Sequence, residues 1–301
     1  MNSLRLSILS IVLTQMAVQD VRPEDRPSTD DWLRVDDIRY AEVDGHPLLL
    51  DLYLPKNVNR PPVVVWIHGG AWRSGSKSNM PLTDLVKSGF AVASVDYRLS
   101  PVAKFPAQIH DCKAAIRFLR ASAEKFGINT ERIGIAGSSA GGHLVALVGV
   151  TNNHKALEGD VGYHDDQSSS VQAIVDYFGP TNFLTILNQS TPHGLSVRVP
   201  ALGLLLGGRP DDIPDLARLA SPVVHVDTDD PPLLLIHGDQ DPQVPINQSH
   251  ELHAKYKEHS LPVHFEVVHG GAHGGDAFFD ARRNMLVRDF FAEHLKGQTT
   301  K

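Results

Sequence analysis

The chain has a single cysteine, Cys112, in 301 residues. An intramolecular disulfide is therefore excluded, and a thiolate metal cluster has no ligands to draw on. Basic residues are outnumbered, 28 Lys plus Arg against 35 Asp plus Glu, for a formal charge of −7. No basic field is available to hold nucleic acid or an anionic lipid surface. Internal repeats and low-complexity tracts are missing too, which argues against solenoids and disordered arrays. Long apolar runs are confined to Leu6–Val18 near the N-terminus. That run is too short to cross a bilayer as a helix. Preceded by Arg5, it fits an export leader over residues 1–19, with a buried N-terminal helix as the alternative. Histidines are numerous, sixteen in all, and most are scattered as solvated surface residues would be.

What is present has the composition of a globular domain, 42% hydrophobic and 21% charged. Residues 20–35, with Pro23 and Pro27 among charges, read as a polar arm or linker. Residues 36–301 then form one domain. Apolar runs at Leu48–Leu54, Pro62–Ile67, Phe90–Val95, Arg132–Ala136, Val171–Phe178, Leu233–Ile236 and Val263–Val268 predict strands. Helical spacing between Pro106 and Glu124, at Ala140–Val150 and from Phe278 to Leu295 predicts helices among them. Cys112 falls in the first of these and reads as a small buried apolar residue. Unbroken apolar strands alternating with helices predict an α/β fold with a mostly parallel sheet covered on both faces.

Two segments stand outside the alternation. Residues 151–170 carry Glu158, Asp160, His164, Asp165 and Asp166 and read as a solvated loop rather than a cation site. Residues 181–230 are too long for a simple connection and predict short helices forming a cap over the functional site.

Chemistry concentrates where predicted strands end. Gly137-Ser138-Ser139-Ala140-Gly141 follows one strand and opens a helix. A turn of that kind projects a serine hydroxyl clear of the chain, and the helix aims its positive end at negative charge forming beside it. His68-Gly69-Gly70-Ala71-Trp72 leaves the end of another central strand. Its backbone suits an oxyanion hole from the N–H groups of Gly70 and Ala71 with that of Ala140, while His68, Gly69 and Trp72 support the loop. A serine needs a base, and the base needs a carboxylate to fix its tautomer. Asp239 and Asp241 both follow the Leu233–Ile236 strand; Asp241, in Asp241-Pro242-Gln243-Val244-Pro245, is the choice, and Asp239 shapes the turn. His269 and His273 both follow the last strand, and His273, deeper in its glycine-rich loop, is taken as the base. The order serine, aspartate, histidine is that of α/β-hydrolases rather than of the chymotrypsin or subtilisin types.

Taken together, His68–Trp72, Asp96-Tyr97-Arg98-Leu99-Ser100-Pro101, Gly137–His143 and Asp241–Pro245 resemble the bifunctional feruloyl and acetyl-xylan esterase-like group of α/β-hydrolases. That group is related to the hormone-sensitive-lipase-like carboxylesterases, and the resemblance runs from about residue 38 to 296. It implies hydrolysis of short acyl or hydroxycinnamoyl esters, often on polysaccharides, through an acyl-enzyme on Ser139 and without metal or organic cofactor. Two departures stand out. Ala71 replaces the third glycine of the oxyanion loop, and Ser138 stands where the hormone-sensitive-lipase pattern has aspartate. An aryl-formamidase, or a peptidase-like hydrolase of the prolyl-oligopeptidase type, would use the same triad. A non-catalytic binding protein on this fold would be expected to lack a triad member, and this chain lacks none.

Overall fold

The computed structural model describes residues 31–152 and 154–296. The leader expected at 1–19 lies outside them, as does most of the arm expected at 20–35. The part of that arm that is described is not an arm. Trp32–Val43 is a strand, β1, hairpinned to β2 (His46–Pro55). Val43 pairs with His46, and the two residues between them, Asp44 and Gly45, both have positive φ. Asp-Gly is the pairing that tight hairpin turns favour, because their twist needs two left-handed residues. Charges along β1 (Arg34, Asp36, Asp37, Arg39, Glu42) hide it from any apolar pattern.

Six further strands follow: β3 (Pro62–Ile67), β4 (Ala91–Val95), β5 (Asn129–Ser138), β6 (Ala173–Tyr177), β7 (Leu233–Gly238) and β8 (Val263–Val268). They form one sheet in the order β1-β2-β4-β3-β5-β6-β7-β8. The β1–β2 and β2–β4 pairs are antiparallel and all the others parallel. Alternate residues of each strand feed separate cores. Val63, Val65 and Ile67 of β3 face the helices Ala107–Ala121 and Ala140–Gly149, where Cys112 is fully buried. Val64 and Trp66 face Thr83–Lys87 and Ala281–Leu295. Burial on both faces is why these strands are apolar throughout instead of alternating.

The sheet order locates the site. From β3 the chain steps to β4 on one side, then crosses back to β5 on the other, so the order switches between β3 and β5. Loops leaving the carboxyl ends of strands diverge at such a switch and open a crevice. His68–Trp72 follows β3 there, and Ser139 follows β5.

The segment 181–230 is helical, as expected, but not uniformly short. It holds Ile186–Gln189, Pro192–Leu206, a 3-10 turn Pro210–Asp212, Pro214–Leu219 and Pro222–His225. Proline stands in the first turn of the last four of these. Its fixed φ suits that position and its missing N–H costs nothing there. Thr191 caps the longest, its hydroxyl accepting from the Gly194 N–H at 3.1 Å, and Gly207 ends it with φ of 85°.

The 151–170 segment differs from its expectation. Lys155–Glu158 is a helical turn, and Glu158 is only partly exposed, 31% of its side chain. Its carboxylate binds the buried Lys113 at 2.9 Å and the buried Arg117 at 2.7 Å. Two buried cations need a counter-charge, and this loop supplies it.

Candidate active site

Ser139 sits at φ 54°, ψ −116°, a conformation that side chains other than glycine rarely adopt. Two hydrogen bonds hold it: its N–H donates to the Tyr177 carbonyl at 2.8 Å, and its carbonyl accepts from the His143 N–H at 2.9 Å. The flanking glycines let the turn press against β3. A Cβ at Gly141 would lie 2.0 Å from the Ile67 carbonyl oxygen, and one at Gly137 2.8 Å from the same atom. No side chain fits at either position, so the spacing of the motif is a steric requirement.

The hydroxyl of Ser139 lies 2.8 Å from His273 Nε2, and His273 Nδ1 lies 2.6 Å from Asp241 Oδ2. Three loops, after β5, β7 and β8, thus converge on one line of hydrogen bonds. Asp241 is covered completely, with 0% of its side chain exposed. Burial pushes its carboxyl pKa up, but hydrogen bonds from His237 and His273, the histidine charge and the Val244 N–H outweigh that. The net effect holds it well below the usual carboxylate range. Its Oδ1 accepts from the Gln243 and Val244 N–H groups at 2.8 and 2.9 Å. Pro242 and Pro245 frame this tight turn, which folds the carboxylate back onto its own backbone.

Gly70, Ala71 and Trp72 have φ of 111°, 52° and 59°, three left-handed residues in a row. The Gly70 carbonyl anchors the turn by accepting from Arg73 N, Ser74 N and Ser74 Oγ, each at 3.1 Å. Among the described residues no acceptor takes the N–H groups of Gly70, Ala71 or Ala140. A Cβ built on Gly69 would lie 3.4 Å from that of Ser139, so this loop lies directly against the serine. Strained backbone with free N–H groups beside a hydroxyl is the arrangement an oxyanion requires.

The supporting residues divide as their contacts dictate. His68 stacks on Tyr97 with centroids 4.5 Å apart, and its Nδ1 lies 2.7 Å from the Gly69 carbonyl. Burial lowers its pKa, so it braces the loop as a neutral ring. The Trp72 indole N–H donates to His143 Nδ1 at 3.2 Å, and His143 Nε2 donates to the Ala220 carbonyl at 2.7 Å. Burial pushes the His143 pKa down to about 4, and both bonds fit one neutral tautomer. One turn beyond Ser139, His143 therefore ties the oxyanion loop and the serine helix to the 181–230 segment.

Asp239 and His269 bind each other instead, Nδ1 to Oδ2 at 2.9 Å on the surface, with the Gly270 N–H on Oδ1 at 2.7 Å. Neither reaches the serine line.

Sequence reasoning missed His143, His237 and Asp176. His237 is the penultimate residue of β7, with Nδ1 2.7 Å from Ser249 Oγ and Nε2 3.0 Å from the Val244 carbonyl and 3.3 Å from Asp241 Oδ2. Asp176 is the penultimate residue of β6, where burial raises its carboxyl pKa to about 7. Its Oδ1 accepts from Gly179 N at 2.8 Å. For His237 and Asp176, polar residues near strand ends within apolar runs were the available signal; His143, in the helix Ala140–Gly149, had none.

The whole set can move a proton from hydroxyl to imidazole while backbone N–H groups hold an anion, which is what acyl transfer needs. Comparisons agree. The model of the BD-FAE family matches residues 50–256. Esterase LipC of Mycobacterium tuberculosis is 33% identical over 240 residues, 78% of this chain and 58% of its own length. Esterase LipQ of the same organism is 30% identical over 82% of this chain. The chain spans 58% and 59% of the lengths of these two relatives. Among solved structures, a truncated carbohydrate esterase from gut microbiota superposes with a TM-score of 0.78 at 36% identity, covering 89% of this chain and 98% of that one. A bifunctional GH43-CE protein of Bacteroides eggerthii does so at 0.76 and 39% identity, covering 86% of this chain and 35% of that one.

Proposed function

The chain belongs to the BD-FAE family, and on that premise we propose that it is a serine carboxylesterase acting on short acyl esters, carbohydrate esters among them. The observation that carries the reading is the unbroken line from Asp241 through His273 to Ser139. Ser139 attacks the ester carbonyl as His273 accepts its proton. Asp241, ionised and hydrogen-bonded, holds the imidazole in the tautomer that presents Nε2 to the hydroxyl and stabilises the imidazolium that forms. The N–H groups of Gly70, Ala71 and Ala140 receive the oxyanion, each contributing about 10²–10³-fold. The alcohol leaves with the proton from His273, and water repeats the sequence on the acyl-enzyme.

Ser139→Ala should abolish both turnover of p-nitrophenyl acetate and labelling by a fluorophosphonate. Retained labelling would sink the assignment of the nucleophile. The carbohydrate part rests on likeness to the gut carbohydrate esterase, which spans nearly all of that protein. A panel of acetyl to decanoyl esters, methyl ferulate and acetylated xylan tests it. Preference for long acyl chains would remove it. Export is part of the same proposal, supported by Arg5 and the apolar run Leu6–Val18. Recovery of intact, unprocessed chain solely from the cytosol of the native host would overturn it.

A further inference from the structure

One buried cation of the 181–230 segment has no anionic counterpart among the described residues. Arg198, on the helix Pro192–Leu206, is 1% exposed. Its Nε and Nη1 are buried without a hydrogen-bond partner, and among the described residues no nitrogen of it forms an ion pair. Three other arginines, Arg117, Arg120 and Arg283, also leave Nε unpaired. Each of those, however, places its terminal nitrogens on a carboxylate or carbonyl. Arg198 alone among them has only an aromatic face, its Cζ lying 5.9 Å from the centroid of the Trp72 ring.

It lies beside two loops of the site. One turn earlier on the same face, a Cβ at Gly194 would lie 3.1 Å from the Pro242 carbonyl oxygen, so this helix packs against the Asp241 loop. Trp72 belongs to the oxyanion loop. The helix carrying Arg198 therefore touches both loops, through Arg198 on Trp72 and Gly194 on Pro242. Asp241 acts on it electrostatically but cannot bind it, because both carboxylate oxygens are occupied by His273, His237, Gln243 and Val244. Exposed Arg73, from the oxyanion loop, repels it. Burial and that repulsion lower its pKa to about 10, which leaves it charged at neutral pH.

A desolvated guanidinium without an anionic partner is costly. A planar carboxylate accepting two parallel N–H bonds is the group that best offsets that cost. We propose that Arg198 is a specificity-determining residue that receives a carboxylate of the substrate, so that preferred esters carry a negative charge away from the scissile bond. This rests on the esterase reading above. The carboxylate can belong to the acyl group or to the alcohol, and the test separates the two.

Matched pairs provide it. p-Nitrophenyl propionate against p-nitrophenyl hemisuccinate places the charge on the acyl side. Acetylated methyl glucoside against acetylated methyl glucuronide places it on the alcohol side. In one pair, Arg198→Met should lower kcat/KM for the charged ester about 10- to 100-fold more than for its neutral partner, chiefly through KM. Arg198→Lys, which keeps the charge without the fork, should fall between. Equal losses on charged and neutral esters in both pairs, with either variant, would make Arg198 a brace for Trp72 and overturn the proposal. A wild-type protein inert toward p-nitrophenyl propionate would instead overturn the esterase reading. Should Arg198→Met not fold, the Lys variant and protection of Ser139→Ala against heat by monomethyl succinate and methyl glucuronide carry the test. The proposal then requires protection by at least one of these acids that is weakened in Ser139→Ala/Arg198→Lys; no protection by either overturns it.

Discussion

Two aspartate–histidine pairs hang from the same two strands. Asp239 and His269 are 30 residues apart, Asp241 and His273 are 32, and both pairs join the loop after β7 to the loop after β8. Their contacts are alike in kind, Nδ1 to Oδ2, at 2.9 Å in one and 2.6 Å in the other. Their surroundings are not. The His269 side chain is 86% exposed, whereas that of His273 is 11% exposed and that of Asp241 is covered. The outer pair ends at Gly270, while the inner one continues to Ser139 and is backed by His237 and two turn N–H groups. An exposed ion pair competes with water and salt and does little. The same pair in a desolvated network fixes a tautomer and a ring orientation.

The sharpest way to break this comparison is to make the same substitution in both pairs. Asp241→Asn should lower kcat for a p-nitrophenyl ester by about 10⁴-fold, as loss of the orienting carboxylate does in serine hydrolases. Asp239→Asn should stay within about 5-fold, the scale of a surface pair. A reversal would transfer the role to the outer pair.

His237 tests what burial adds. Its replacement by Phe removes a donor to Asp241, and should lower kcat about 10- to 100-fold while costing about 1–3 kcal/mol of stability. Urea unfolding with parallel kinetics checks both, and unchanged kcat would show that the inner pair stands without that backing.

Acid titration should separate the pairs more gently. Asp241 has a folded pKa depressed below the ordinary 3.8. Its contribution is therefore complete above that value and lost as pH falls through the lower folded one. In Asp241→Asn, urea stability should accordingly decline less between pH 4 and pH 2 than in the wild type. The Asp239 carboxyl is depressed as well, first by the His269 hydrogen bond, but it is open to solvent and its removal should flatten the curve less. The smallest effect belongs to His269→Ala, with thermal stability and kcat/KM both near wild type. A tenfold loss in either would mean that the outer pair braces the loop carrying His273.

Much of this was legible in the chain. β3 was expected at Pro62–Ile67 and is found there, because burial on both faces leaves an unbroken apolar run. The Ser139 turn was legible because Gly137 and Gly141 leave no room for a side chain against Ile67. β1 was not legible. Its charged residues conform to no apolar period, and only Asp44-Gly45 signalled the hairpin. Nor was the pairing of Glu158 with Lys113 and Arg117, since a charged loop reads as solvated until the cations it must neutralise are seen beneath it.

Back at the two pairs, the sequence by itself determined that two aspartates would follow β7 and two histidines β8, in the order a serine hydrolase needs. Covalent order and local sterics set that much. Only the tertiary structure decided which pair is buried and meets Ser139, and that Arg198 is buried without an ion-pair partner among the described residues. Burial and electrostatic partnership depend on how distant loops converge, and no local pattern in the chain encodes that.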